Sequence, residues 1–330
     1  MPFTPAAHPG SLHHYAPRLV AFEHTPGKSD HGAYNFVLFV GGLCDALMTV
    51  RYPSVLATVL PPSWAVAEVQ TRSSGVGYTT GSLDRDSEDL AKAITYFRDV
   101  AKQRDSKGPA KVILLGHSTG CQDAMNYVVG SWKQTLMSKE VTERPALDGV
   151  VFQAGISDRE GVEGHLTAQQ VQYSLKTAQS MIEDGRGQDH MPNAATKGLF
   201  GAQPSAVRWK SLIDPEGEDD YFSSDLSEER LERVWGERGL AARGVKVLVL
   251  LSGEDENMPR GLDKAKLVSR WETYLKGSNG LWDDRSGVIR GASHNLNRSS
   301  EDVVKGYCQT LLGFIQSVDP ELAHKDTGRL

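Results

Sequence analysis

The sequence has few cysteines and no long apolar run. Its 330 residues include three cysteines, Cys44, Cys121 and Cys308, with no C-x-x-C spacing. An odd number of widely spaced cysteines favours free thiols in a reducing compartment over disulfides or a metal site. No apolar stretch approaches the roughly 20 residues that a membrane-spanning helix needs, and residues 1–16 lack the apolar core of a secretion signal. We therefore expect a cytoplasmic protein with no membrane partner, no metal and no other cofactor.

The chain also lacks a strong excess of charge of either sign. Its 36 basic and 42 acidic residues leave a formal net charge of −6 at pH 7. This balance gives no reason to expect nucleic acid as a partner. Hydrophobic residues make up 39% of the chain and charged residues 24%, which is typical of a soluble globular protein. The sequence contains no internal repeat, and it leaves the oligomeric state open.

Strand-like apolar runs alternate with helical segments over most of the chain. This alternation predicts an α/β fold, with a mostly parallel sheet covered by helices on both faces. The strand rhythm disappears between the fifth and sixth runs, which predicts an inserted, mainly helical cap. We expect core segments at 1–157 and 244–330 and a cap at 158–243. The runs lie at residues 19–24, 36–40, 65–70, 112–115, 150–153 and 245–251.

A single G-x-S-x-G motif, Gly116-His117-Ser118-Thr119-Gly120, directly follows the apolar run 112–115 and precedes a helical stretch. Strand, tight turn and helix in this order are typical of a nucleophile elbow. The turn holds its serine at strained backbone dihedrals with the hydroxyl exposed. The motif alone is weak evidence, but its context makes Ser118 the candidate nucleophile.

A serine hydroxyl needs an imidazole to take its proton and a carboxylate to orient that imidazole. On this kind of sheet the order along the chain is serine, acid, histidine. His294 lies in a loop of small residues between the strand-like 287–289 and the last helix, where the base is expected. We predict His294 as the base. The other downstream histidines lie in the predicted cap or in a charged tail: His165, His190 and His324.

Three adjacent carboxylates follow the last long strand-like run. Asp255 stands four residues before Pro259, as the acid commonly does at this position, and its short side chain suits a fixed reach to the imidazole. We therefore predict Asp255 as the acid, with Glu254 and Glu256 facing solvent. Asp158, which follows an earlier strand, remains the alternative.

The oxyanion of an acyl-transfer reaction needs preorganised N–H donors. The backbone of Thr119, the residue after the nucleophile, should supply one of them. The second donor should come from the glycine-rich loop after the run 36–40, and we expect the amide of Leu43 first and that of Gly42 second. A glycine turn without a role is the alternative for this loop.

Several stretches in combination resemble one branch of the α/β-hydrolase superfamily, the fungal esterases of fusarinine-type siderophores with their fungal and plant relatives. The resemblance implies an α/β-hydrolase fold and an intracellular serine esterase, with Ser118, Asp255 and His294 in the triad positions. It also implies a small-molecule ester substrate, with a ferric siderophore as the candidate. The stretches that carry it are 40–43 with 47–50 and Tyr52, 73–83 with Asp86, 115–123, 221–226, Asp255-Glu256 before Pro259, and His294-Asn295.

Three aromatic residues of the predicted cap, Trp209, Tyr221 and Phe222, could supply an apolar wall for a bulky ester. We predict them as substrate-binding residues, and the alternative is that they form the cap's own core. Two other functions stay open for the whole protein. One is a thioesterase or acyltransferase of secondary metabolism that uses the same triad, and the other is a non-catalytic binding protein on the same fold.

Overall fold

The computed structural model of the chain describes residues 6–25, 32–104, 108–130, 144–215 and 217–322. These residues form one nine-stranded sheet. Its strands are β1 (Gly10–Ala16), β2 (Leu19–His24), β3 (Asn35–Val40), β4 (Trp64–Val69), β5 (Val112–His117), β6 (Gly149–Gln153), β7 (Lys246–Ser252), β8 (Leu281–Trp282) and β9 (Gly287–Ile289).

The sheet is antiparallel at one edge and parallel elsewhere. The strand order is β1-β2-β4-β3-β5-β6-β7-β8, and β9 also pairs with β7. Strand β2 runs antiparallel to both of its neighbours, whereas the pairs from β4 to β8 and β9 are parallel. Because parallel strands end at the same edge, the loops after β3, β5, β7 and β9 lie near one another. The predicted mostly parallel sheet is confirmed.

Two strands were not predicted from the sequence. Strand β1 (Gly10–Ala16) lies at the sheet edge, and most of its successive residues alternate between exposed and partly buried. It therefore lacks the continuous apolar signal of the central strands. Strand β8 has only two residues, which is too short to produce any periodic pattern.

The described helices cover both faces of the sheet. Ser82 and Ser300 cap the two longest of them by accepting hydrogen bonds from backbone amides. None of the described helices is long and apolar enough to cross a membrane. The helices are α1 (Tyr52–Val59), α2 (Leu83–Gln103), α3 (Gly120–Val129), α4 (Asp158–Gly161), α5 (Ala168–Glu183), α6 (Asn193–Thr196), α7 (Ala206–Ile213), α8 (Glu228–Val234), α9 (Lys264–Gly277) and α10 (Glu301–Val318).

Alternate side chains of the central strands enter two hydrophobic clusters on opposite faces of the sheet. Strand β3 illustrates this, because Phe36 and Leu38 join the cluster that includes helices α2, α3 and α9. Val37 and Phe39 join the cluster formed with α1 and α10. Strands buried on both faces are continuously apolar, which is why the central strands were recognisable in the sequence.

The segment between β6 and β7 contains helices α4 to α8. Its first part has a hydrophobic cluster of its own, extending from Val162 to Ile213. Its second part, from Tyr221 to Leu240, belongs to the main cluster on the sheet. Packing therefore divides the segment 158–243 into a part with its own core and a part that packs on the sheet. The extent of a cap as a domain stays a prediction.

Candidate active site

Ser118 lies in a strained turn between β5 and α3. Its φ of +54° is in the left-handed region, which residues with a side chain rarely adopt. The two flanking glycines make the turn possible, because a Cβ at Gly116 would lie 2.3 Å from the carbonyl oxygen of Gly120. A Cβ at Gly120 would lie 2.4 Å from the carbonyl oxygen of Val40. Strand, turn and helix thus have the geometry of a nucleophile elbow.

A continuous hydrogen-bond chain joins Ser118, His294 and Asp255. His294 Nε2 is 2.8 Å from Ser118 Oγ. On the other side of the ring, Nδ1 is 2.8 Å from Oδ2 and 3.0 Å from Oδ1 of Asp255. The imidazole and the carboxylate are largely buried, with 7% and 8% of their residue surfaces exposed. The structure therefore brings together the three side chains that the sequence predicted as nucleophile, base and acid.

Backbone hydrogen bonds hold the two loops that carry His294 and Asp255. Glu256 Oε2 accepts the backbone N–H of His294 at 2.9 Å, and Gln153 Nε2 donates to the carbonyl oxygen of His294 at 3.0 Å. Asp255 Oδ1 also accepts the backbone N–H of Asn257 at 2.9 Å. Neither Gln153 nor Glu256 was predicted from the sequence as a site residue. Glu256 is exposed, as expected, but its carboxylate also holds the backbone of His294. A glutamine at the end of a buried strand was the available signal for Gln153.

Asp158, the alternative acid, is not bonded to His294. Its Oδ2 accepts a hydrogen bond of 2.9 Å from Gln122 Nε2 on helix α3, and its side chain lines the cleft above Ser118. Burial, followed by the negative charge of Asp219, raises the pKa of Asp158 to about 7. The geometry thus favours Asp255 over Asp158 as the partner of the imidazole.

A second imidazole, that of His117, lies beside His294, with the ring centroids 5.0 Å apart. Burial and the adjacent His294 lower the pKa of His117 to about 3. Its Nδ1 is 2.5 Å from Oε1 of Gln153. Burial thus favours the neutral form of His117.

The loop after β3 turns back on itself next to the serine. The amide of Gly42 donates to Asp45 Oδ2 at 2.7 Å, and the amide of Asp45 donates to the carbonyl oxygen of Gly42 at 3.0 Å. A Cβ at Gly42 would lie 2.6 Å from Cβ of Ser118, so only glycine fits there. Because Gly42 has given its amide to Asp45, it is not a free donor. Within the described residues, the amides of Leu43 and Thr119 have no hydrogen-bond partner.

A cleft of about 350 Å³ opens above Ser118 and His294, within the range of small-molecule sites. Loops of the sheet edge form one side of it, and residues of the segment 158–243 form the other. The lining residues are Gly42, Leu43, Cys44, Asp45, His117, Ser118, Ile156, Asp158, Gly161, Val162, His165, Leu199, Phe200, Asn257, His294 and Asn295.

The predicted aromatic wall is wrong, because Trp209, Tyr221 and Phe222 do not line the cleft. Trp209 is fully buried in the cluster of residues 162–213, and its Nε1 donates to Ser174 Oγ at 3.0 Å. The other two residues are buried in the main cluster. All three are packing residues, but the alternative, a core of the cap's own, fits Trp209 alone. The aromatic side chain that does line the cleft from this segment is Phe200.

Phe222 illustrates why aromatic residues in the sequence did not identify the residues that line the cleft. Its ring packs edge-on against the rings of Trp235 and Trp271, with centroid distances of 5.9 and 5.6 Å. Tyr221 packs nearby, and its hydroxyl donates to Asn126 Oδ1 at 3.0 Å. Large aromatic side chains bury more apolar surface in a core than at a partly open cleft.

The described residues include no group of three or more His, Cys, Asp or Glu side chains that could hold a metal ion. The three cysteines are free, with Cys44 exposed and the other two buried. Cys121 packs beneath the elbow, and its Sγ is 3.2 Å from the carbonyl oxygen of Gly116.

The α/β-hydrolase fold is defined by a mostly parallel sheet with three residues on loops at one edge. These are an elbow serine and, later along the chain, an acid and a histidine. A solved structure named "Alpha/Beta hydrolase fold protein of unknown function" shares this fold, with a TM-score of 0.57 and 17% identity. That match covers 98% of this chain and 99% of the other. More closely, the chain belongs to the family described as "Protein of unknown function (DUF1749)", whose model matches residues 2–316.

Two relatives from Aspergillus fumigatus match almost the whole chain. The chain is 35% identical to fusarinine C esterase sidJ, over 94% of this chain and 96% of the relative. It is also similar to the solved structure of siderophore hydrolase EstB, with a TM-score of 0.79 and 32% identity over 96% of this chain and 99% of the other. The resemblance to the fungal siderophore esterases is therefore confirmed.

Proposed function

We propose that this protein is a serine-dependent carboxylic ester hydrolase with Ser118, His294 and Asp255 as its catalytic triad. The observation that carries the proposal is the unbroken chain from Ser118 Oγ to His294 Nε2 and from His294 Nδ1 to Asp255, in which each contact is between 2.8 and 3.0 Å. The strained backbone of Ser118 and the cleft that opens above its hydroxyl support the same function.

In the proposed reaction, Ser118 Oγ attacks the acyl carbon while its proton passes to His294 Nε2. The Asp255 carboxylate stabilises the resulting imidazolium through Nδ1–H. The amides of Leu43 and Thr119 donate hydrogen bonds to the oxyanion of the tetrahedral intermediate. His294 then gives its proton to the departing alcohol, which leaves an acyl group on Ser118. A water molecule, deprotonated by His294, releases the acid and restores the serine.

The proposed substrate is a hydroxamate siderophore of the fusarinine type, with its ester bonds cleaved inside the cell, and the ferric and iron-free forms are both candidates. Two features support this choice. The relatives that match almost the entire chain are named as a fusarinine C esterase and a siderophore hydrolase. The cleft is lined by polar as well as apolar side chains, which suits a polar ester better than an apolar acyl tunnel would.

Hydrolysis of a panel of esters tests the proposal. The panel contains ferric and iron-free fusarinine-type siderophores, a p-nitrophenyl ester, an acyl thioester and a triglyceride. We expect turnover of the p-nitrophenyl ester and faster turnover of the siderophore, and labelling of Ser118 by a fluorophosphonate. Turnover of the thioester alone would instead indicate a thioesterase. Absence of both turnover and labelling would indicate a binding protein and would refute the proposal.

A further inference from the structure

One carboxylate in the cleft has no part in the proposed reaction. Asp158 is the first residue of α4, directly after Ser157, the N-cap of that helix. Its side chain lines the same cleft as Ser118 and His294. A partly buried carboxylate that faces a substrate cleft is costly unless a partner compensates its charge.

The protein does not fully supply that partner. Gln122 Nε2 donates to Oδ2 of Asp158. Within the described part of the chain, Oδ1 of Asp158 has no hydrogen-bond partner. It is not one of the buried polar atoms without a partner, so this oxygen is accessible to solvent in the cleft. The nearby cation, Arg208, is already bound by Asp219, because its Nη1 is 2.8 Å from both carboxylate oxygens.

The rest of the cleft adds no positive side chain. No Lys or Arg is among the described residues that line it, whereas Asp45 is a second carboxylate there. Asp45 Oδ2 accepts the amide of Gly42, so this carboxylate is tied to the backbone of the loop after β3, whereas Asp158 is held by the side chain of Gln122. A cleft of this composition repels anionic groups and attracts cationic ones.

From this arrangement we propose that Asp158 is a substrate-binding residue whose carboxylate selects esters carrying a protonated amine. The inference rests on the proposed esterase function and deepens it, because it assigns a charge to the preferred substrate. The ammonium would lie against Oδ1 while Ser118 attacks the ester carbon in the same cleft. Gln122 would hold the other carboxylate oxygen in place from helix α3.

The electrostatics around Asp158 agree with this role. Burial raises the pKa of Asp158 most, and the negative charges of Asp219 and Asp220 raise it further. Arg208 and His294 lower this pKa, and the balance is a value of about 7. His165 is a further titratable group that faces the same cleft. A bound ammonium would favour the ionised carboxylate. Selection of amines should therefore strengthen as the pH rises through 7.

The test compares pairs of esters that differ only in charge. On the acyl side the pair is p-nitrophenyl 6-aminohexanoate and p-nitrophenyl heptanoate. On the alcohol side it is 6-aminohexyl hexanoate and heptyl hexanoate. The measured quantity is the ratio of kcat/KM for the cationic ester to that for its neutral partner. Because both members of a pair react through Ser118 and His294, titration of the catalytic machinery cancels in this ratio.

In the wild type we expect a ratio above one for at least one pair, rising between pH 6 and pH 8. Asp158→Asn should lower that ratio about 10-fold or more and remove its pH dependence. Glu254→Gln is the matched control, since Glu254 is exposed and outside the cleft. It should change the ratio by less than about 2-fold, because salt screens exposed charges.

Ratios in both pairs that are unchanged by Asp158→Asn would overturn the proposal, as would wild-type ratios at or below one in both pairs. An equal loss on cationic and neutral esters would also overturn it, because it would show that Asp158 only holds helix α3. If Asp158→Asn folds poorly, the pH profile is compared between the wild type and His165→Gln, because His165 faces the same cleft. A rise in the ratio that persists in His165→Gln supports Asp158, and a rise that disappears there overturns the proposed pH dependence. Failure of the esterase function itself is distinguishable, because then the neutral esters would not be hydrolysed in a Ser118-dependent way.

Discussion

Asparagine at position 255 would preserve the shape of the acid while removing its charge. In the wild type both oxygens of Asp255 lie within 3.0 Å of His294 Nδ1. Oδ1 also accepts the amide of Asn257, which requires that oxygen to remain an acceptor. An asparagine would keep its carbonyl oxygen on that amide and turn its NH₂ group toward the imidazole.

The imidazole would then place its Nδ1 lone pair toward the amide and its proton on Nε2. In this tautomer Nε2–H points at Ser118 Oγ, 2.8 Å away, and cannot accept its proton. The loss of the correct tautomer, together with the loss of the negative charge that stabilises imidazolium, predicts a fall in kcat of about 10⁴-fold. KM should change little, since Asp255 does not line the cleft.

The assay is steady-state hydrolysis of a p-nitrophenyl ester by Asp255→Asn, with Glu256→Gln and Asp158→Asn as comparisons. Glu256 accepts the backbone N–H of His294, which a glutamine oxygen can still accept, and its ion pair with Arg298 is long at 3.7 Å and exposed. Glu256→Gln should therefore cost less than about 10-fold. Thermal unfolding of each variant separates lost chemistry from lost folding. If Glu256→Gln or Asp158→Asn reduced kcat of a folded protein more than Asp255→Asn, the acid would be misassigned.

Three further outcomes are expected. Ser118→Ala should lower kcat by about 10³-fold or more and prevent fluorophosphonate labelling without changing the melting temperature, and substantial residual turnover would contradict its role. Phe222→Ala should destabilise the protein by about 3–5 kcal/mol in urea unfolding, with equal losses on small and bulky esters, whereas a loss confined to the bulky ester would restore it as a binding residue. Burial tends to raise the pKa of Glu23, but hydrogen bonds from His13 and Arg104 outweigh it and lower the pKa from 4.5 to about 2. This carboxylate thus contributes up to about 3 kcal/mol above pH 4.5, which is lost as the pH falls toward 2. Glu23→Gln should lower the free energy of unfolding at neutral pH and reduce the loss of that free energy as the pH falls from 4.5 toward 2. An equally steep loss in the variant would refute this.

The fold and the three side chains that the structure brings together, Ser118, His294 and Asp255, could be predicted because each leaves a local signal. The central strands are buried on both faces and therefore read as short apolar runs. The elbow at Ser118 needs glycine on both sides, because neighbouring backbone leaves no room for a Cβ. The spacing between Asp255 and Pro259 and the loop of small residues around His294 are likewise patterns within a few neighbouring residues.

The supporting contacts could not be predicted in this way. Glu256 and Gln153 reach the backbone of His294 from sequence positions 38 and 141 residues away. The choice between the amides of Gly42 and Leu43 also depended on geometry, because only the structure shows that Asp45 has taken the first of them.

What the sequence determined by itself is the order of the central strands with their helices and the position of the elbow at Ser118, since both depend on periodicity and on steric limits within a few residues. Tertiary structure alone decided which side chains face the cleft. Trp209, Tyr221 and Phe222 have the composition of a binding wall but lie in two hydrophobic clusters, while Asp158 and Phe200 line the cleft. The direction in which a side chain points depends on how distant segments pack, and composition carries no information about that packing.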